Sequence, residues 1–229
     1  MRPVTLKVNL SNTSTTKVAA AQTTAGAANL TLAAAASAID ASGAARILLI
    51  TTTENDSGVT YTIKGLDADG NAITETGNLP NNTTAVSSKA YASVSSFAVG
   101  GAVAANMSVG TVATTLSALS KTIPLDWRGF FGSSIITEIT GTIVYTVQET
   151  FDDILSATPT STATFFNGSL SNDTQNTSGA GTVGANLVSL SSTNGRSQTD
   201  KGATGVRISI ASYSSGATLT MRVIPEPHN

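Results

Sequence analysis

The chain has no cysteine, which excludes disulfides and thiolate metal sites. Its single histidine, His228, is next to the last residue. A general base has to be held in place by a packed surround, and a terminal tail does not supply one. Histidine-dependent triads and histidine metal sites are therefore not expected. Charged residues make up only 11 % of the 229 residues, well under the roughly 25 % of an average soluble domain. Residues 1–120 carry 6 basic and 6 acidic side chains and residues 121–229 carry 6 and 8, with no Lys/Arg cluster. The electrostatic footprint of a nucleic-acid binder is missing. Aromatic residues are 5 %, few for a carbohydrate-binding module that displays exposed rings. No stretch approaches the length of apolar chain that spans a membrane. Met1–Lys7 lacks the apolar run of a secretory signal, so the expectation is a chain made and kept in a cytoplasm.

What is abundant is Thr (37), Ala (32) and Ser (28). Such a composition can dilute a core until the chain stays disordered. Disorder, however, goes with low hydrophobicity and high net charge, whereas here 40 % of residues are hydrophobic and the net charge is -2. Threonine is β-branched and suits a half-buried pleated surface. The composition points to a β-protein with hydroxyl-rich faces and a weakly charged surface suited to packing against copies of itself or a partner.

The residue pattern agrees. Val4–Leu10 alternates apolar and polar, as a strand does. Arg46–Thr53 is an apolar run, Asn55-Asp56-Ser57-Gly58 is turn chemistry, and Val59–Lys64 alternates strictly. Asp67-Ala68-Asp69-Gly70-Asn71 is a second turn with the Asp-Gly dipeptide of tight hairpins, and Ala72–Thr76 continues as a strand. Tyr91, Val94, Phe97 and Val99 populate one or two more strands, and Met107–Val112 another. The second half reads as strands at Ile135–Ile139, Thr142–Gln148, Ala163–Phe166, Leu187–Leu190, Val206–Ile210 and Ala217–Ile224. Residues 167–184 and 191–205 read as long polar loops. The Ala-rich stretch 18–45 has no clear period; a short strand at Leu30 and Leu32 and a helix over Leu32–Ile39 are its two readings.

Strand and turn alternating at this spacing define an all-β class: one or two antiparallel β-sandwich units, jelly-roll or Ig-like, with long polar loops. The low-information stretch Ala113–Lys121 places a boundary between an N-terminal sandwich, residues 1–119, and a C-terminal sandwich, residues 120–229. Thr60-Tyr61-Thr62-Ile63 echoes Val144-Tyr145-Thr146-Val147, as a duplication or a chance match between Thr-rich strands would.

Few residues are equipped for chemistry. Glu149, Asp152 and Asp153 could form a glycosidase pair or hold Ca²⁺, or be the solvated end of a strand. The Asp67–Asn71 loop resembles the start of an EF-hand, but Thr76 stands where the closing carboxylate belongs, and a hairpin turn explains it without an ion. Gly100-Gly101 and Gly179–Gly181 lack the Lys-Ser/Thr and helix of a phosphate loop. No catalytic set, cofactor or metal is expected. Candidate interface residues are Trp127, Arg128, Phe130 and Phe131, which are favoured interface anchors or a core plug, together with Phe165 and Phe166. Adjacent strand residues point to opposite faces, so one of the last two must face away from its own core.

The run Asn55-Asp56-Ser57-Gly58-Val59-Thr60-Tyr61-Thr62-Ile63, then Gly65-Leu66-Asp67-Ala68-Asp69-Gly70-Asn71-Ala72-Ile73-Thr74-Glu75-Thr76, resembles a recurrent β-domain of tailed-bacteriophage virion proteins. Tyr145–Asp153 is similar to the segment that follows in them. The resemblance implies a virion structural protein, foremost a head decoration or cement protein assembled in the host cytoplasm. Its partners would be the major capsid protein or other virion proteins. It would also associate with itself, a trimer being one form, without nucleic acid or membrane. A tail, neck or fibre component, a bacterial surface adhesion domain and a depolymerase-type enzyme are the alternatives.

Overall fold

The computed structural model describes residues 3–112, 118–125, 133–155, 162–167, 188–189 and 203–225. In chain order the strands are β1 Val4–Asn9, β2 Ala19–Thr24, β3 Ala28–Asn29, β4 Ala45–Thr52, β5 Thr60–Leu66, β6 Ala72–Asn78, β7 Thr84–Tyr91, β8 Ser93–Val99 and β9 Val103–Thr111. They continue as β10 Ala118–Leu119, β11 Ile123–Pro124, β12 Ser133–Thr140, β13 Ile143–Thr150, β14 Phe166–Asn167, β15 Val188–Ser189, β16 Gly205–Tyr213 and β17 Thr218–Pro225. The fold is all-β and sandwich-type, and every paired strand is antiparallel.

Three sheets form. A central sheet runs β14-β13-β16-β10-β4-β9-β2, with β7 on the other edge of β4 and β11 beside β16. The sheet β3-β8-β5-β6 and the sheet β1-β17-β12-β15 complete the set. Two main cores result. One contains Val18, Leu48, Ile50, Tyr61, Ile63, Phe97 and Met107, from the central sheet and the β8-β5 sheet. The other contains Val8, Ile135, Tyr145, Ile208, Ile210, Leu219 and Met221, from the central sheet and the β17-β12 sheet. A third, small cluster gathers Ala45, Ile47 and Ala90.

The alternation in the sequence decides which side chains face in. Tyr61 and Ile63 of β5 are buried, while Thr60 and Lys64 are exposed. In the turn after it, the Asp67 carboxylate accepts hydrogen bonds from the N–H groups of Asp69 and Asn71, each at 2.9 Å. Gly70 takes φ 86°, a backbone conformation that costs a glycine little.

The Ala-rich stretch departs from both expectations. The helix over Leu32–Ile39 is a single 3₁₀ turn, Ala34–Ser37, and the short strand is β3, upstream of Leu32. The backbone of this segment is spent on sheet edges instead. Leu30 N–H donates to Phe97 O, Ala33 N–H donates to Val18 O, and the Gln22 side chain clips Thr31 at both its N–H and its carbonyl. Tertiary pairing overrides the helix propensity of alanine.

The expected boundary at 119/120 meets two crossings. β1 pairs along its whole length with β17, and Val8, Leu10 and Ala44 belong to the second core. The two-residue strand β10 bonds β4 on one side and β16 on the other, so the central sheet is continuous from half to half. The long polar loops expected at 167–184 and 191–205 lie almost wholly outside the described residues.

Candidate functional site

Phe166 opens β14 and Phe165 immediately precedes it, and the two rings have different surroundings. Phe165 is half-buried beneath the Arg207 guanidinium, whose carbon is 3.5 Å from the ring centroid. Phe166 is 54 % exposed and its ring centroid is 6.2 Å from that of Phe151, itself 46 % exposed. With Leu155, 60 % exposed, these rings are three of the six large apolar side chains that face solvent among the described residues. Trp127, Arg128, Phe130 and Phe131 lie outside the described residues.

The acidic group at the end of β13 is split. Glu149 is 3 % exposed, Asp152 is half-buried and Asp153 is exposed. The Asp152 carboxylate accepts the Thr164 N–H at 2.6 Å, and its carbonyl accepts the Thr204 hydroxyl. Its polar groups therefore hold neighbouring chain in place. Among the described residues no three acidic or histidine side chains converge as a metal site would need.

The turn at Asp67–Asn71 is likewise committed to protein donors. Asp69 reaches across to the segment before β11, accepting the Thr122 N–H and the Thr122 hydroxyl, each at 2.7 Å. This pins the β5–β6 hairpin from the first half against the second. Beneath the hairpin lies a cleft of about 230 Å³. Ala45, Ile47, Ala68, Ala90 and Leu119 give it apolar lining, and Asp67, Asp69, Lys89, Ser120 and Arg207 give it polar lining. Small side chains on facing strands create the hollow. Burial pushes the Arg207 guanidinium down to about 10, against the pull of Asp69 and Asp67, so it remains a cation at neutral pH.

Two buried polar networks escape a strand-and-turn reading. In the first, Arg46 of β4 is fully buried and donates to Asp40 at 3.0 Å, to the Val112 carbonyl at 3.2 Å and to the Tyr213 hydroxyl. Tyr213 in turn donates to the Ser11 carbonyl at 2.9 Å. In the second, Glu75 occupies an inward position of β6, opposite Ile63. It accepts from Tyr61 Oη at 3.1 Å and from the N–H groups of Ser88 and Lys89 at 2.9 and 3.0 Å. Burial, then the Glu75 charge and its hydrogen bond, push the Tyr61 hydroxyl up to about 12 and that of Tyr91 higher still. The signal for both networks is a lone charge at an inward or apolar-run position, because a buried charge requires partners.

No family model, no curated protein and no solved structure matches the chain. Composition, surface, site geometry and the sequence pattern of 55–76 are what remain to suggest a function.

Proposed function

We propose that this chain is a structural component of a tailed-phage particle. In this reading it is a decoration or cement protein that binds the outer head lattice, associates with copies of itself and acts without catalysis. The observation that carries the reading is the exposed ring pair Phe151–Phe166, with Leu155 also facing solvent, on a hydroxyl-rich, weakly charged surface. Exposed rings set in a polar surround are what contact between proteins uses. The polar groups of buried Asp40, Arg46 and Glu75 and of half-buried Asp69 support the same reading, since they are committed to internal hydrogen bonds that stiffen the sheets. The resemblance of 55–76 to virion β-domains supplies the particle.

The mechanism is mass action. A protein that binds only the assembled shell stabilises it by its binding free energy, and many copies multiply that effect through avidity. Co-sedimentation of the purified chain with undecorated capsids is the test. Saturable binding that raises the capsid disruption temperature is expected. Absence of binding at micromolar concentration would remove the head assignment, and gold-labelled antibody on tails or necks would move the protein there.

A further inference from the structure

The cleft beneath the β5–β6 hairpin has no role in the packing of either main core. It is lined by segments from both halves: β4, β7, the 67–69 turn, β10, Ala163 and Arg207 of β16. Its size is decisive. Sites for small-molecule ligands usually measure about 300–1,000 Å³, and at about 230 Å³ this one suits a single side chain.

Its hydrogen-bonding ledger is lopsided. Each carboxylate oxygen lining the cleft already accepts at least one protein hydrogen bond. Asp67 receives the N–H groups of Asp69 and Asn71 and the Asn71 amide, the last at 3.1 Å. Asp69 receives Thr122 at both oxygens. The Ser120 hydroxyl donates to the Lys121 carbonyl and accepts the Ile208 N–H. The donors are in surplus. A guanidinium carries five N–H groups in a planar fork. Arg207 uses only Nε, donating to Gln148 Oε1 at 2.9 Å, and its terminal amines bond no described residue. Among the described residues, the exposed Lys89 Nζ donates to the Thr74 carbonyl at 2.7 Å. The ring of Phe165 beneath the guanidinium fixes its plane.

We propose that this cleft receives one carboxylate-bearing side chain, a glutamate or aspartate of another polypeptide in the assembly, held by the terminal amines of Arg207. The apolar lining takes the methylene stem, and the guanidinium fork takes the carboxylate in the paired geometry that planar partners favour. The turn carboxylates weaken the attraction for any anion. They discriminate most against a doubly charged phosphate, which leaves the singly charged carboxylate as the fitting group. The proposal rests on the assembly reading only in taking the carboxylate from a polypeptide. Its test uses small probes, so failure here would leave capsid binding untouched.

The experiment is an NMR titration of the whole ¹⁵N-labelled chain with glutamate blocked at both termini, beside blocked glutamine and acetate. Saturable shifts of the Arg207 Nε–H and of the Ala90 and Ser120 amides are expected with the glutamate probe. Blocked glutamine and acetate should bind at least about tenfold more weakly. Arg207→Met should abolish the response, and Ala90→Leu, which fills the cleft from a different wall, should do so with Arg207 intact. Thermal melting checks that each variant is folded. No saturable shift at millimolar probe, equal binding of glutamine, or an undiminished response in a folded variant would overturn the proposal. Acetate binding as tightly as blocked glutamate would overturn its polypeptide source.

Discussion

Arg46 and Asp40 form an ion pair at 3.0 Å with both side chains fully buried. The pair sits where the halves meet, because Arg46 also contacts Tyr213 of β16 through its amine and over its ring, at 4.9 Å to the centroid. Tyr213 reaches Ser11, which itself donates to Asp40 through its backbone and its hydroxyl. The β1–β17 ladder and the two-residue β10 join the halves through backbone bonds, and this network adds buried side-chain bonds between them.

The first prediction concerns this pair. Asp40→Asn or Arg46→Met leaves one charge buried and unpaired, which typically costs about 3–5 kcal/mol. Replacing both by apolar residues of similar volume should cost less than either single change, since no lone charge then remains. Urea denaturation of the two single variants and the double variant measures this. A double variant as damaged as the sum of the singles would show that the pair acts through packing rather than charge.

A second prediction follows from Glu75. In the unfolded chain Tyr61 and Tyr91 ionise near pH 10, whereas in the folded chain burial and the Glu75 carboxylate hold them neutral to about 12 or above. Above pH 10 the unfolded state therefore binds fewer protons than the native state, and stability falls as pH rises. Each tyrosine contributes a slope of at most about 1.4 kcal/mol per pH unit across that window, and none below it. Denaturation between pH 9 and pH 12 should show the loss beginning near 10. Tyr61→Phe should flatten the slope while lowering stability at neutral pH, because Glu75 loses a donor. An unchanged slope in that variant would place the alkaline transition elsewhere.

Strands and turns were readable because they depend on neighbours in sequence. Val59–Lys64 alternates, Asp-Gly turns, and β5 and β6 follow as a matched pair. The pairing of β1 with β17 joins residues over two hundred positions apart, and nothing local in Val4–Asn9 names its partner. The same holds for the cleft. Ala45 of β4, Ala90 of β7 and Arg207 of β16 are far apart in sequence, and the two alanines leave a hollow beside the arginine only once the sheet brings the strands together. Phe165 and Phe166 were legible for the opposite reason. A strand reading of two adjacent rings puts them on opposite faces, and here one stacks on Arg207 while the other meets solvent.

A third prediction tests close backbone approach. A Cβ on Gly110 would lie 1.9 Å from the Ser14 carbonyl oxygen and 2.5 Å from the Thr15 carbonyl carbon. The Thr111 N–H donates to that same Ser14 carbonyl at 2.8 Å, so the 14–15 segment cannot withdraw without losing the bond. Gly110→Ala should cost about 1–3 kcal/mol or more, the range of overpacked sites. Gly26→Ala, with nothing within 4 Å of its added carbon, serves as control. Equal melting temperatures for the two variants would contradict the packing at β9.

The last prediction separates surface from core. Phe151 and Phe166 touch each other and solvent rather than either core, so the double change to serine should move stability by no more than about 0.5 kcal/mol each. Phe97, fully buried and stacked on Tyr61 at 5.5 Å, should cost about 3–5 kcal/mol as Phe97→Ala. If the exposed rings mediate association, the double serine variant keeps its melting temperature but sediments as a smaller species and loses capsid binding. Sedimentation velocity and co-sedimentation read those two losses directly. A variant that melts several degrees lower while still associating would make the rings part of the fold and remove the observation on which the assembly reading leans. Retained association at full stability would move the interface away from these rings.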